Sequence, residues 1–132
     1  MTQIDCEHTV LIVDDDEDIV DTVRMVLTRR GWQVESAGEG AAGLERLRNG
    51  LRPEVVLLDL MMPGINGWQF CEALRADPEL RGIPVVVVSG AGDVGEKARS
   101  VGAVGHLRKP FELSELYEVV RSATSEGSAA PL

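Results

Sequence analysis

Long apolar runs are missing from this chain of 132 residues. No stretch nears the ~20 residues that a transmembrane helix needs. The opening residues, Met1 to Glu7, have neither a basic start nor an apolar centre, so no secretory leader is expected and residues 1–7 read as a short extension. Cysteine is scarce: Cys6 and Cys71 are the two present, far apart and without CxxC or metal-ligand spacing. They are expected to be free thiols in a reducing cytoplasm. Basic residues are outnumbered, 13 Lys and Arg against 22 Asp and Glu, for a net charge of −9. Nucleic acid and anionic membranes reward clustered Lys and Arg, so neither is expected as a direct partner.

What is present suits one domain, since single domains cluster at about 100–150 residues. A chain of this size buries a core without disulfides or metals. Short β-branched runs alternate with helical periodicity. Thr9–Val13 is continuously apolar and too short for a helix, as expected of a strand buried on both faces. Ile19, Val20, Val23, Val26 and Leu27 recur at helical spacing, then Arg29-Arg30 form a basic last turn and Gly31 a helix-ending glycine. Residues 32–36 alternate like an edge strand. A helix over 41–49 stops at Gly50. Residues 54–58 form a second buried run, and a helix over 68–76 ends at Asp77-Pro78. Residues 84–88 form a third buried run with proline first, where strands tolerate it. A weak helix over 94–101, a short strand over 105–108 and a closing helix over 113–123 complete the chain. Residues 125–132, small and polar, are expected to be a disordered tail. Five strands alternating with five helices predict a doubly wound α/β domain with a parallel sheet covered on both faces.

Ligands of such sheets bind beyond the carboxyl ends of the strands. There the sequence puts Asp14-Asp15-Asp16, Asp59, Ser89-Gly90 and Lys109-Pro110. Helix packing does not require that gathering. Asp14, Asp15 and Asp59 would repel one another and raise at least one proton affinity. Mg²⁺, which takes oxygen ligands in octahedral geometry, removes the conflict. With Lys109 and Ser89 added, the set suits a phosphoryl group held on a carboxylate. Asp16, Glu17 and Asp18 instead suit a helix start.

The order Val-Asp14-Asp15, then Leu-Leu-Asp59-Leu-Met-Met-Pro63-Gly64-x-x-Gly67, then Val-Val-Ser89-Gly90, then Lys109-Pro110-Phe111 resembles the receiver domain of bacterial two-component response regulators. The resemblance covers about residues 8–124. It implies a flavodoxin-like fold with strand order 2-1-3-4-5. It implies that Asp59 accepts a phosphoryl group from a histidine kinase or a phosphotransfer histidine. Asp14, Asp15 and Asp59 then hold Mg²⁺, Met61 lends its backbone carbonyl, Lys109 pairs with the phosphate, Ser89 moves toward it, and Lys109-Pro110 is a cis peptide. His106 stands where the family usually has Tyr or Phe that swings inward, and it reads equally as a half-buried strand residue. Ser89 and Lys109 are 20 residues apart, a little closer than is common in the family. Two glycines between 91 and 100 predict a short or frayed fourth helix. On this reading the chain is a stand-alone receiver, a monomer or weak homodimer. It signals by contact with an unknown downstream protein.

Two other readings remain open. Asp14-x-Asp16 after a strand also resembles haloacid-dehalogenase-like phosphatases, with Asp14 as nucleophile and Asp16 as acid/base. That leaves Asp59 without a role, and no further acidic metal motif follows Lys109. The third reading is an interaction module that is never phosphorylated.

Overall fold

A computed structural model of the chain describes residues 8–62, 64–90 and 92–124. Cys6 and the expected 1–7 extension and 125–132 tail lie outside the described residues. The elements alternate strictly: β1 (Thr9–Val13), α1 (Glu17–Thr28), β2 (Gln33–Ala37), α2 (Gly40–Arg48), β3 (Val55–Asp59), α3 (Gly67–Ala76), β4 (Val85–Ser89), α4 (Val94–Ser100), β5 (Gly105–Arg108) and α5 (Leu113–Ala123). All pairings are parallel, in the order β2-β1-β3-β4-β5. The expected topology is therefore the observed one.

Because side chains alternate across a strand, the sheet divides its residues between two layers. Leu11, Val13, Val56, Leu58, Val85 and Val87 pack with Leu44, Leu47, Phe70, Leu74, Val94 and Ala98 under α2, α3 and α4. Val10, Ile12, Val55, Leu57, Val86 and Val88 pack with Val23, Leu27, Leu116 and Val120 under α1 and α5. The central strands β3 and β4 are buried along their whole length, which is why they read as continuous apolar runs.

Boundaries differ from expectation by a residue or so, with chemical consequences at two places. Asp59 and Ser89 are the last residues of β3 and β4, not the first residues after them. The ladder thus fixes their backbones. α1 closes at Thr28 with Arg29 as its C-cap, so the two arginines lie at and beyond the cap and not in the last turn. Gly31 does adopt the left-handed conformation, with φ of 88°. α4 is short, with seven residues.

The outer edge of β2 is covered. Gln33 N–H donates to His8 O at 2.7 Å and Asp14 N–H to Ala37 O at 3.1 Å. Those residues face inward, so the intervening Val34 and Ser36 carbonyls face outward. Arg24 of α1 donates to Val34 O at 2.8 Å, and Arg46 of α2 donates to Ser36 O at 3.1 Å. Beneath the sheet His8 stacks on Trp32, with ring centroids 4.6 Å apart, and its Nδ1 lies 2.9 Å from Glu54.

Candidate functional site

The carboxyl ends of β1 and β3 bring the acidic residues together. Asp14 follows β1 and is 2% exposed. Its Oδ1 accepts from Asp16 N–H at 2.9 Å, a turn that points the chain into α1. Asp59 is 7% exposed, and its Oδ1 accepts from Met61 N–H at 3.0 Å. Asp15 is exposed to solvent. Carboxylate oxygens of Asp14, Asp15 and Asp59 all lie within 4.8 Å of one another.

Lys109 enters from the end of β5. Its Nζ is 2.9 Å from Asp14 Oδ2 and 3.6 Å from Asp59 Oδ2. Asp14 Oδ2 is buried, and the Lys109 ammonium is its partner. One ammonium set against three carboxylates leaves the charge unbalanced.

The electrostatics agree. Burial pushes Asp59 above the usual carboxylate range, and Asp14 and Asp15 push the same way. The Met61 amide and Lys109 pull it down, without cancelling the rise. Burial alone would lower the Lys109 ammonium, yet the adjoining Asp14 carboxylate, with Asp59 and Asp16, outweighs it and holds Lys109 above the usual lysine range. These residues fit a hard divalent cation: the donors are all carboxylate oxygens within reach of one another, and the excess charge is negative.

Ser89, at the end of β4, is 1% exposed, and its carbonyl accepts from Lys109 N–H at 2.9 Å. Met61 is 61% exposed, so its side chain adds little to the packing around Asp59. Lys109-Pro110 is cis, as the resemblance implied. His106, on β5 opposite Val87, is exposed and not half-buried. Its ring lies over α4 at Gly95, where a Cβ would be 3.5 Å from Cε1. Asp16 is the N-cap of α1, its Oδ1 accepting from Asp18 N–H at 3.0 Å.

Three further contributions depend on contacts between segments. Gly67 opens α3 so close to Leu60 that a Cβ would stand 2.7 Å from Leu60 Cα. Arg108 reaches back to Gly92 O at 2.7 Å. Trp68 donates to Ser100 Oγ at 3.1 Å, tying α3 to the last turn of α4. Of the three, only Gly67 left a trace in the sequence, as the second glycine of the Pro63-Gly64-x-x-Gly67 motif.

A doubly wound sheet thus gathers three aspartates, a lysine and a buried serine at its carboxyl edge. Comparison with known proteins makes the assignment particular: the profile of the response regulator receiver domain matches residues 10–121, and the chain belongs to that family. The dual master transcriptional regulator RpaA of Synechocystis sp., described as DNA-binding, is 36% identical over 115 residues, covering 86% of this chain and 47% of the relative. The DNA-binding response regulator MtrA of Mycobacterium tuberculosis is 36% identical over 124 residues, covering 92% and 53%. The chain thus spans about half the length of the curated relatives it matches. Among solved structures, chemotaxis protein CheY4 of Vibrio cholerae superposes with a TM-score of 0.81 at 28% identity, covering 89% of this chain and 99% of that one. A response regulator receiver protein from Pseudomonas putida gives a TM-score of 0.79 at 28% identity, covering 90% and 99%. RpaA and MtrA are described as DNA-binding, so the acidic composition does not support excluding nucleic acid as a partner. Among the described residues no helix is long and apolar enough to cross a membrane.

Proposed function

We propose that this chain is the phosphoacceptor of a two-component or phosphorelay pathway in the cytoplasm, with Asp59 as the residue modified. The observation that carries the reading is Lys109 Nζ set between two buried carboxylates, 2.9 Å from Asp14 and 3.6 Å from Asp59. The partner on the donor side is a histidine kinase or a phosphotransfer histidine. An oxygen of Asp59 attacks phosphorus, the P–N bond to the imidazole breaks, and the departing nitrogen keeps the electron pair. Burial makes Asp59 reluctant to ionise, so the attack needs positive charge nearby. Lys109 supplies part of it and then pairs with the transferred oxygens.

Asp14, Asp15, Asp59 and the Met61 carbonyl would hold Mg²⁺, whose chemistry is to neutralise phosphoryl oxygens. The Met61 amide fixes the other oxygen of Asp59, which leaves Oδ2 on the Lys109 side to react. Ser89 then shifts toward the phosphoryl group, because a charge-assisted hydrogen bond gains more there. His106 starts exposed, and an inward turn of its ring is the accompanying change. The output is contact with a downstream protein or domain.

The phosphatase alternative asks Asp16 to serve Asp14 as acid/base. Asp16 is engaged as the α1 cap, which favours the receiver reading. Incubation with Mg²⁺ and acetyl phosphate, followed by mapping of the acyl phosphate, tests all the readings. Label on Asp59 is expected. Label on Asp14 would favour the phosphatase, and no label would favour an interaction module.

A further inference from the structure

We propose that Arg108 is a positioning residue, a latch that holds the connection between Ser89 and α4 in its resting arrangement. The proposal rests on the reading of Asp59 as phosphoacceptor and of Ser89 as the hydroxyl that moves toward it.

The geometry ties both ends of that connection to neighbouring residues of one strand end. At the near end Ser89 is in register with Arg108, and its carbonyl accepts from Lys109 N–H at 2.9 Å. At the far end Arg108 Nη1 donates to Gly92 O at 2.7 Å. Gly92 has φ of 73°, a conformation that glycine adopts without strain. A Cβ there would come within 3.1 Å of Lys97 Nζ, so a second cation crowds the same turn. The next residue, Asp93, caps α4 by accepting from Glu96 N–H at 3.0 Å. Gly92 is thus held by Arg108 on one side and joined to the helix cap on the other.

Any shift of Ser89 toward Asp59 draws Gly90 along the chain, while Arg108 holds Gly92 where it is. The two demands compete. A contact made better in one of two states biases the equilibrium by that difference, and a ligand selecting the other state works against it. The bond joins a charged donor to a neutral carbonyl in an exposed setting, so its bias is modest. Removing it favours the state that binds a phosphoryl group. Removing the charge of Arg108 from beside an anion site has the opposite sign. The sign of the measured change therefore separates a latch from a plain electrostatic contribution.

The experiment uses the whole chain, with beryllium trifluoride as the phosphoryl mimic in excess Mg²⁺. Arg108→Ala and Arg108→Gln are compared with the parent. Without the mimic, amide exchange over residues 92–98 is expected to quicken in both variants. With it, the dissociation constant is expected to fall about three- to tenfold. Unchanged or weaker binding would overturn the latch, as would unchanged exchange. Asp59→Asn is measured alongside. If that variant binds the mimic as well as the parent, the underlying assignment of the site has failed, whatever Arg108 does.

Discussion

Replacing Gly67 with alanine tests how tightly the start of α3 is bound to the phosphoacceptor strand. The added Cβ would stand 2.2 Å from Leu60 Cδ2 and 2.7 Å from Leu60 Cα. Carbon atoms in contact prefer ~3.5–4.0 Å, so the backbone approach is short by about 1 Å. Leu60 is fully buried, and its Cα belongs to the chain between Asp59 and Met61. The helix must therefore move outward or the site must distort. Overpacking of this kind costs about 1–3 kcal/mol. Alanine returns at most ~1 kcal/mol through its better helix propensity. A net loss of about 1–2 kcal/mol corresponds to a fall of roughly 3–12 °C in Tm for a domain of this size. A distortion of the site would move the Met61 N–H away from Asp59 Oδ1, a bond now 3.0 Å long. A shift near 1 Å is worth up to ~10²-fold in rate when it misaligns a reacting group, so acetyl phosphate labelling is expected to slow at least tenfold. Gly38→Ala is the control, since nothing lies within 4 Å of its Cβ position. Thermal melts followed by circular dichroism and initial labelling rates are the assays. If Gly67→Ala melts and labels like Gly38→Ala, the close approach is not what fixes Asp59, and the reasoning fails.

Other expectations follow from the same geometry. Asp59→Asn is expected to abolish labelling while Tm holds or rises. Burial holds the Asp59 proton affinity above its unfolded value, so the wild type loses stability as pH rises through that raised pKa. The gain in the variant should thus appear at neutral pH and vanish in acid below the usual carboxylate range, and the opposite pH trend in melting would refute it. Asp15→Ala is expected to lose most of the rise in Tm that Mg²⁺ produces by mass action. An undiminished rise would put the metal elsewhere. Cys71 is 4% exposed, and burial pushes its thiol up to about 11, with Arg75 opposing weakly. It is expected to resist alkylation at pH 8 until the protein is unfolded, and mass spectrometry of iodoacetamide-treated protein checks this.

The parts legible in sequence were those written in side-chain pattern. Three valine-rich runs announced strands buried on both faces, and Asp14, Asp59, Ser89 and Lys109 were recognisable because each ends or follows one. What stayed hidden depends on distances between segments. Arg108 looks like any exposed strand residue until its guanidinium is seen to cross to Gly92. His106 reads equally as a switch residue or as a half-buried strand residue, but β5 is a short edge strand, and the ring is exposed beside Gly95 of α4. The exact last residues of β3 and β4 were missed by one because hydrogen-bond registry, not hydrophobicity, decides them. The α1 cap showed why Asp16 parts company with its two neighbours: the strand ends at Val13, and two further residues bring the chain to the N-cap position.

The arginines that wrap the rim of β2 bear on whether a further strand could add to the sheet. A bare parallel-sheet border offers carbonyl acceptors to any extended peptide that drifts alongside, and this is a common route to unwanted fibrous association. Here two of the outward acceptors are already engaged by guanidinium groups, one arriving from each face of the sheet. A newcomer would have to displace both charged donors, and Arg46 is further held by Glu35 at 2.6 Å. That flank is therefore a poor template for an added strand.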